Sequence, residues 1–369
     1  MHKKKLTAAT REALELLRAL IKIPSFSGEE DGTAQRMEEW MASRGMAFHR
    51  DKNNVWAVNK YFDPEKPTIL LNSHHDTVRP NAGYTRDPFD PAIEGEVLYG
   101  LGSNDAGASL VSLLAAFAHF YEEEDLRYNL LIAATAEEES SGEWGLKYLI
   151  HRLPEIDFAI VGEPTGMQLA IAEKGLLVID GYASGIAGHA AHENTENAIY
   201  QALEDIHWLR THRFDKVSET LGKVKMSVTQ IQAGKQHNLV PARCHFVVDV
   251  RVNDAYTNRE VFDIIDAHTK SRMEARSFQL NSSSISPGHP IVKAGIRLGR
   301  KTYGSPTLSD QAVLACPSLK MGPGQSTRSH SADEFVRIRE LEEGVQGYID
   351  ILEEVIRSSP ILNSKNTVK

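Results

Sequence analysis

Cysteine is nearly absent: Cys244 and Cys316 are the two in a chain of 369 residues. They form no CxxC pair, so no disulfide framework and no thiolate zinc site organises the fold. Small buried thiols in a reducing compartment are the expectation, which makes the cytoplasm the expected location. Long apolar runs are missing too. None approaches the roughly 18 residues of a membrane-crossing helix. The basic start Met1-His2-Lys3-Lys4-Lys5 is not followed by the apolar stretch of a secretory signal. Positive charge is in deficit: 41 Lys and Arg face 50 Asp and Glu, a net charge of −9. That balance argues against a nucleic-acid partner and gives no support to an anionic membrane surface. There is no internal repeat, and no low-complexity segment beyond the polar tail 359–369.

What is present is an ordinary globular composition in a chain longer than one core usually serves, so two domains are expected. Leu14, Leu16, Leu17, Leu20, Ile21 and Ile23 mark an N-terminal helix that stops at Pro24-Ser25-Phe26-Ser27-Gly28. Helices are predicted over 31–46, 106–121, 145–152, 290–303 and 338–357. Strands are predicted over 54–59, 68–73, 129–135, 157–161 and 312–316. This alternation implies an α/β fold with a mostly parallel sheet flanked by helices. Between them the order changes to β-α-β-β-α, with strands at 176–182, 224–232 and 244–251 and helices at 197–211 and 258–276. That order implies an α+β layer with one helical face. The expected organisation is a domain of residues 1–172 and 287–369, with residues 173–286 inserted into it.

Ligand-type residues gather where the apolar strands end. Thr68 to Ser73 runs into His74-His75-Asp76, Asn129 to Thr135 into Ala136-Glu137-Glu138-Glu139, and Phe158 to Val161 into Gly162-Glu163-Pro164. Ligand sites of open α/β sheets lie outside the carboxyl ends of strands. Side chains alternate along a strand, so His74 and Asp76 share a side and His75 takes the other. Asp76 can then fix the tautomer of a metal-bound His74. Asp105 follows the Gly100-Leu101-Gly102 turn and opens a helix, where it can cap the helix or bridge two cations. In the 137–139 run one carboxylate can ligate and its neighbour take a proton from water, and the residues alone do not say which. Glu163 is either a ligand or a turn acid before Pro164. His330 lies in a Ser-rich loop after Gly322-Pro323-Gly324. Together His74, Asp105, Glu163, His330 and one or two of Glu137, Glu138 and Glu139 form a donor set suited to two divalent ions, Zn²⁺ first and Co²⁺ as an alternative.

These stretches resemble the M20 family of dinuclear zinc amidohydrolases, and most of all its acetylornithine deacetylase branch. The resemblance also rests on Leu20 to Glu29, Tyr99 to Asp105, Val161 to Thr165 and His330 to Glu334, in family order along nearly the whole chain. It implies a zinc-peptidase-like catalytic domain and an inserted β-α-β-β-α-β lid and dimerisation domain. It implies that His74, Asp105 and Glu163 serve one metal, with Asp105 bridging, and that Glu139 and His330 complete the other. Asp76 would orient His74, and Glu138 would be the general base. Gly185-Ile186-Ala187-Gly188-His189 matches an element whose His reaches across a homodimer to steady an oxyanion. His192 stands close by as an alternative, because Ala191-His192-Glu193 replaces the family's usual small residue and Pro. Asn238 and Arg251 match substrate-contacting positions, Arg251 for a carboxylate.

The expected enzyme therefore cleaves the amide of an N-acyl amino acid, a small molecule, with N-acetylornithine (arginine synthesis) as the first candidate. N-acetylcitrulline, N-succinylornithine, succinyl-diaminopimelate or a peptide are alternatives on the same ligand set.

Overall fold

A computed structural model describes residues 6–193 and 196–357. The polar tail 359–369 and the basic Met1–Lys5 lie outside the described residues. The chain divides into two compact units. The first comprises the described residues up to Leu169, with Ser286–Thr302 and the chain from Cys316; the second comprises Ala170–Ile285 and Tyr303–Ala315.

The first unit is built on a sheet with strand order His49–Asp51, Asn54–Val58, Asn129–Thr135, Thr68–His74, Phe158–Gly162, Ser318–Met321. The last four run parallel, and the first two are antiparallel additions at one side. Every residue of Thr68–His74, Asn129–Thr135 and Phe158–Gly162 is buried. Strands buried on both faces read as continuous apolar runs, which is why they stand out in the sequence. The helix Ala108–Phe120 lies against Thr68–His74 and Asn129–Thr135, and is itself covered by Ala8–Ile21 and Ile338–Arg357. That double cover explains why it is buried almost all round. Leu71 sits mid-sheet between Ile132 and Ile160 with no exposed surface. Leu71→Ala should cost about 2–5 kcal/mol of stability through lost burial and the cavity left behind. Denaturant unfolding of the metal-free protein measures it, and a loss below 1 kcal/mol would contradict this placement.

The second unit carries a four-stranded antiparallel sheet, ordered Lys225–Ala233, Arg243–Val252, Gly175–Ser184, Arg272–Ala275. With helices Ala198–Thr211 and Asn258–His268 its chain order is β-α-β-β-α-β. Leu177, Ile179, Phe246, Val248 and Val250 form its core with Ala202, Leu209, Val261 and Ile265 from the helices. Gly181 is required there: a Cβ would meet the Phe246 ring at 2.3 Å.

Several elements differ from the sequence pattern, among them the helix expected over 145–152, which is the single turn Leu146–Leu149. The helix expected to reach 276 ends at His268, and Arg272–Ala275 becomes the fourth strand. A capping box between Thr257 and Glu260 starts that helix, but nothing in the apolar spacing marks where pairing with Gly175–Ser184 takes over. The helix from Pro290 ends at Arg297, just before Gly299 at φ 79°. The strand expected at 312–316 lies at Ser318–Met321, after Pro317, and Asp310–Val313 is a short 3-10 turn capped by the Ser309 side chain. A small sheet of Ile93–Glu94, Val97–Tyr99 and Phe335–Arg337 has no counterpart in the sequence pattern.

Candidate metal centre

The four parallel strands deliver their carboxyl ends to one edge of the sheet, and the acidic and imidazole residues follow there. His74 is the last residue of its strand and is 1% exposed. Its Nδ1 lies 3.0 Å from the Asp76 carbonyl oxygen and 3.3 Å from Asp76 Oδ1. A proton held there leaves the Nε2 lone pair facing outward. Nε2 lies 3.4 Å from Asp105 Oδ1, 3.8 Å from Glu163 Oε1 and 4.0 Å from Glu138 Oε2. His75 turns away, as strand alternation requires. It is held by the Thr33 hydroxyl and the Asn53 carbonyl, and burial lowers its pKa to about 4.

A second group forms beside the first. His330 Nε2 lies 2.9 Å from Glu139 Oε2 and 3.8 Å from Asp105 Oδ2. Asp105 thus turns one carboxylate oxygen toward His74 and the other toward His330. Donor atoms of His74, Glu138 and Glu163 lie within 4.8 Å of one another, as do those of His74, Asp105 and Glu139.

Asp76 is fully buried and does more than face His74. Its Oδ1 accepts the backbone N–H of Glu138 at 3.1 Å, and its Oδ2 accepts that of Glu139 at 3.1 Å and the Ser27 hydroxyl at 2.7 Å. Burial opposes its ionisation, but the His74 and Ser27 hydrogen bonds hold its pKa below the usual carboxylate range. Glu137 takes a left-handed backbone, φ 55°, and its carboxylate accepts the Trp144 N–H within its own loop. His330 and Asp333 are also left-handed, at φ 58° and 52°. Non-glycine residues held this way collect at functional sites, where neighbours over-determine them. Gly102 is left-handed as well, φ 73°, and a Cβ there would meet Thr77 Cγ2 at 2.6 Å.

The donor set fits divalent cations. A buried carboxylate packed against another retains a proton it would lose in water, and Glu163 is in that position beside Asp105. Burial, then the charge of Asp105, pushes Glu163 up to about 8. His330 is raised to about 9, first by its hydrogen bond to Glu139. Burial works against a proton on His74, but hydrogen bonds to Asp105 and Asp76 raise its pKa well above the usual value. Oxygen and imidazole donors so gathered suit a divalent cation, and a carboxylate with two separately directed oxygens suits a shared pair.

In the second unit His189 is exposed on a two-stranded ribbon, where Gly188–His189 pairs with Leu239–Val240. Asn238 is brought to the same ribbon, its carbonyl accepting the Ala190 N–H at 3.0 Å. The His189 and His192 rings are 5.7 Å apart. Arg251 forms two hydrogen bonds to Asp249, at 2.9 and 3.1 Å, on its own strand.

The sequence reading missed the supports of the site. Ser27 holds Asp76. Buried Glu30 accepts the N–H groups of Gly28 and Glu137. Asn81 donates to the His330 carbonyl at 3.0 Å. Buried Glu334 holds the loop that carries Asp105. The one available signal was the acid pair Asp333-Glu334 so close to His330.

Residues 70–354 match the family model described as Peptidase family M20/M25/M40, and the chain belongs to that family. The fold and the site make it a metallo-hydrolase of amide bonds. It is 28% identical over 366 residues to the acetylornithine deacetylase of Proteus mirabilis (strain HI4320), covering 89% of this chain and 93% of that protein. It is 23% identical over 362 residues to succinyl-diaminopimelate desuccinylase 2 of Ruegeria sp. (strain TM1040), covering 89% and 91%. A tripeptidase structure from Staphylococcus aureus superposes with a TM-score of 0.76 at 20% identity, over 96% of this chain and all of that one. Among the described residues no helix is long and apolar enough to cross a membrane.

Proposed function

We propose that the protein hydrolyses the amide bond of an Nα-acyl amino acid, with N-acetylornithine as the first substrate. The observation that carries this reading is the Asp105 carboxylate, turned between His74 on one side and His330 on the other. His74, Asp105 and Glu163 would hold one cation, and Asp105, Glu139 and His330 the second, Zn²⁺ first and Co²⁺ as the alternative. Such cations, when bound, supply Lewis acidity toward the acyl carbonyl and toward water. By resemblance to the family pattern, Glu138, whose Oε2 lies 4.0 Å from His74 Nε2, would take the proton of the attacking water and pass it to the leaving amine, with Glu139, which meets His330 at 2.9 Å, as the ligand. Asp76 keeps the His74 tautomer and holds the Glu138–Glu139 backbone.

His189 supports the developing oxyanion. Its Nδ1 accepts the Ala191 N–H at 3.1 Å, which places the proton of the neutral ring on Nε2, ready to donate. It would act from the partner copy of a homodimer formed through the second unit. That unit offers the exposed strand Lys225–Ala233 with Ile231, and the exposed Tyr200 and Leu203 on the helix Ala198–Thr211. Asn238 and Arg251 would contact substrate, Arg251 exchanging Asp249 for a substrate carboxylate.

A desuccinylase is the second reading, favoured by the similarity to succinyl-diaminopimelate desuccinylase 2. Amine release from N-acetyl and N-succinyl derivatives of ornithine, citrulline and diaminopimelate, alongside unblocked dipeptides, tests both. N-acetylornithine should give the highest kcat/KM. Faster cleavage of unblocked dipeptides than of every acyl amino acid would overturn both readings in favour of a peptidase.

A further inference from the structure

Glu334 is a carboxylate 2% exposed, and both of its oxygens serve backbone rather than side chains. Oε2 accepts the Gly102 N–H at 2.9 Å, and Oε1 accepts those of Asn104 and Asp105 at 2.8 Å each. Its carbonyl oxygen accepts the Gly100 N–H at 3.0 Å. Phe335 pairs with Tyr99 in the small sheet, which is what lays Glu334 along this loop. Four N–H groups between Gly100 and Asp105 therefore end on one residue. A concave run of amides of this kind suits acceptor oxygens, and here the chain supplies them itself from the Glu334 carboxyl group. The backbone at Asp105 (φ −119°, ψ 99°) and Gly102 (φ 73°) is not helical, so helix formation does not explain where these amides point.

The segment bearing Glu334 also bears His330, and it is pinned twice more. Asn81 donates to the His330 carbonyl, and the Asp333 carboxylate accepts the N–H groups of Thr85 and Arg86. Glu334 is thus the link that holds the Asp105 loop in register with His330.

We propose that Glu334 is a positioning residue that sets the Asp105 carboxylate between the two metal positions and fixes it relative to His330. This rests on the two-cation reading of the site. It touches neither substrate nor reacting atoms. Its loss should weaken the second cation before it weakens the fold, since groups supporting a ligand typically change metal affinity by roughly 10–100-fold.

The test is a Zn²⁺ titration of metal-stripped wild type, Glu334→Gln and Asp105→Asn, with Co²⁺ absorption and thermal unfolding of the metal-free forms alongside. In Glu334→Gln the amide can still accept two of the N–H groups but sets its own N–H against the third. It should bind one Zn²⁺ normally and a second about 10–100-fold more weakly, with kcat falling more than KM rises. Its Co²⁺ spectrum should change, while circular dichroism stays that of wild type. Should this variant fail to fold, Glu334→Asp, which keeps the charge on a shorter arm, is read the same way. Two Zn²⁺ bound with wild-type affinity by a folded Glu334 variant, with only unfolding temperature lowered, would show Glu334 to be structural and overturn the proposal. If Asp105→Asn also bound two Zn²⁺ normally, Asp105 would not be the shared ligand and the proposal would fall with it; a folded wild type that binds fewer than two Zn²⁺ would overturn the two-cation reading itself.

Discussion

Glu138→Gln should lower kcat by about 10²- to 10⁴-fold, the usual range for removing a general base, while metal content stays at the wild-type level. Glu138 and Glu139 share one short loop, and their backbone amides share one acceptor, Asp76. Their side chains part company: Glu139 meets His330, whereas Glu138 reaches toward His74. Glu139→Gln should therefore lose metal along with activity. Glu137→Gln should retain both, because the Glu137 side chain is engaged with Trp144 in its own loop. Metal analysis of the three purified variants beside steady-state kinetics separates the roles. A Glu138→Gln protein that loses metal while Glu139→Gln keeps it would reverse the assignment of base and ligand.

Removing metal should abolish hydrolysis and make stability depend on pH with a definite sign. In the metal-free fold Glu163 is raised to about 8 by burial and the Asp105 charge, and His330 to about 9 by Glu139. Both folded pKa values lie above their unfolded ones, near 4.5 and 6.5. Between the unfolded and folded values the native state binds more protons than the unfolded chain, so stability falls as pH rises. The metal-free protein should be most stable at the acidic side of this window and lose stability as pH rises from 5 toward 9. A fall in Tm of roughly 5 °C or more is expected, given a few degrees per kcal/mol for a protein this size. Zn²⁺ competes for the same groups, so its uptake at pH 7 should release protons and its apparent affinity should drop as pH falls. Calorimetric unfolding across pH, with and without Zn²⁺, and Zn²⁺ titration in buffers of different ionisation heat measure both effects. A metal-free protein whose Tm rises from pH 5 to pH 9 would contradict the crowded-carboxylate account.

Much of the first unit was legible because its strands are buried on both faces. Thr68–His74, Asn129–Thr135 and Phe158–Gly162 are continuous apolar runs, so the polar residues at their ends stand out. Element boundaries in the second unit were less legible. The helix Asn258–His268 and the strand Arg272–Ala275 adjoin without a glycine or proline, and pairing with the distant Gly175–Ser184 strand decides where one gives way to the other. Glu334 was invisible in its role for the same reason, since it lies 229 residues from the Asp105 amide it accepts.

The amino-acid order alone determined the chemistry available: imidazoles and carboxylates at the ends of buried strands, with alternation sending His74 one way and His75 the other. Those properties follow from strand periodicity and from the burial of apolar runs, which act over a few residues. Tertiary structure alone decided that Asp105 faces two histidines and that Glu139 rather than Glu138 meets His330. It also decided that the side-chain oxygens of Asp76 and Glu334 accept backbone amides. These facts depend on loops from distant stretches meeting at one sheet edge, where hydrogen-bond geometry selects the partner and sequence distance carries no information about it.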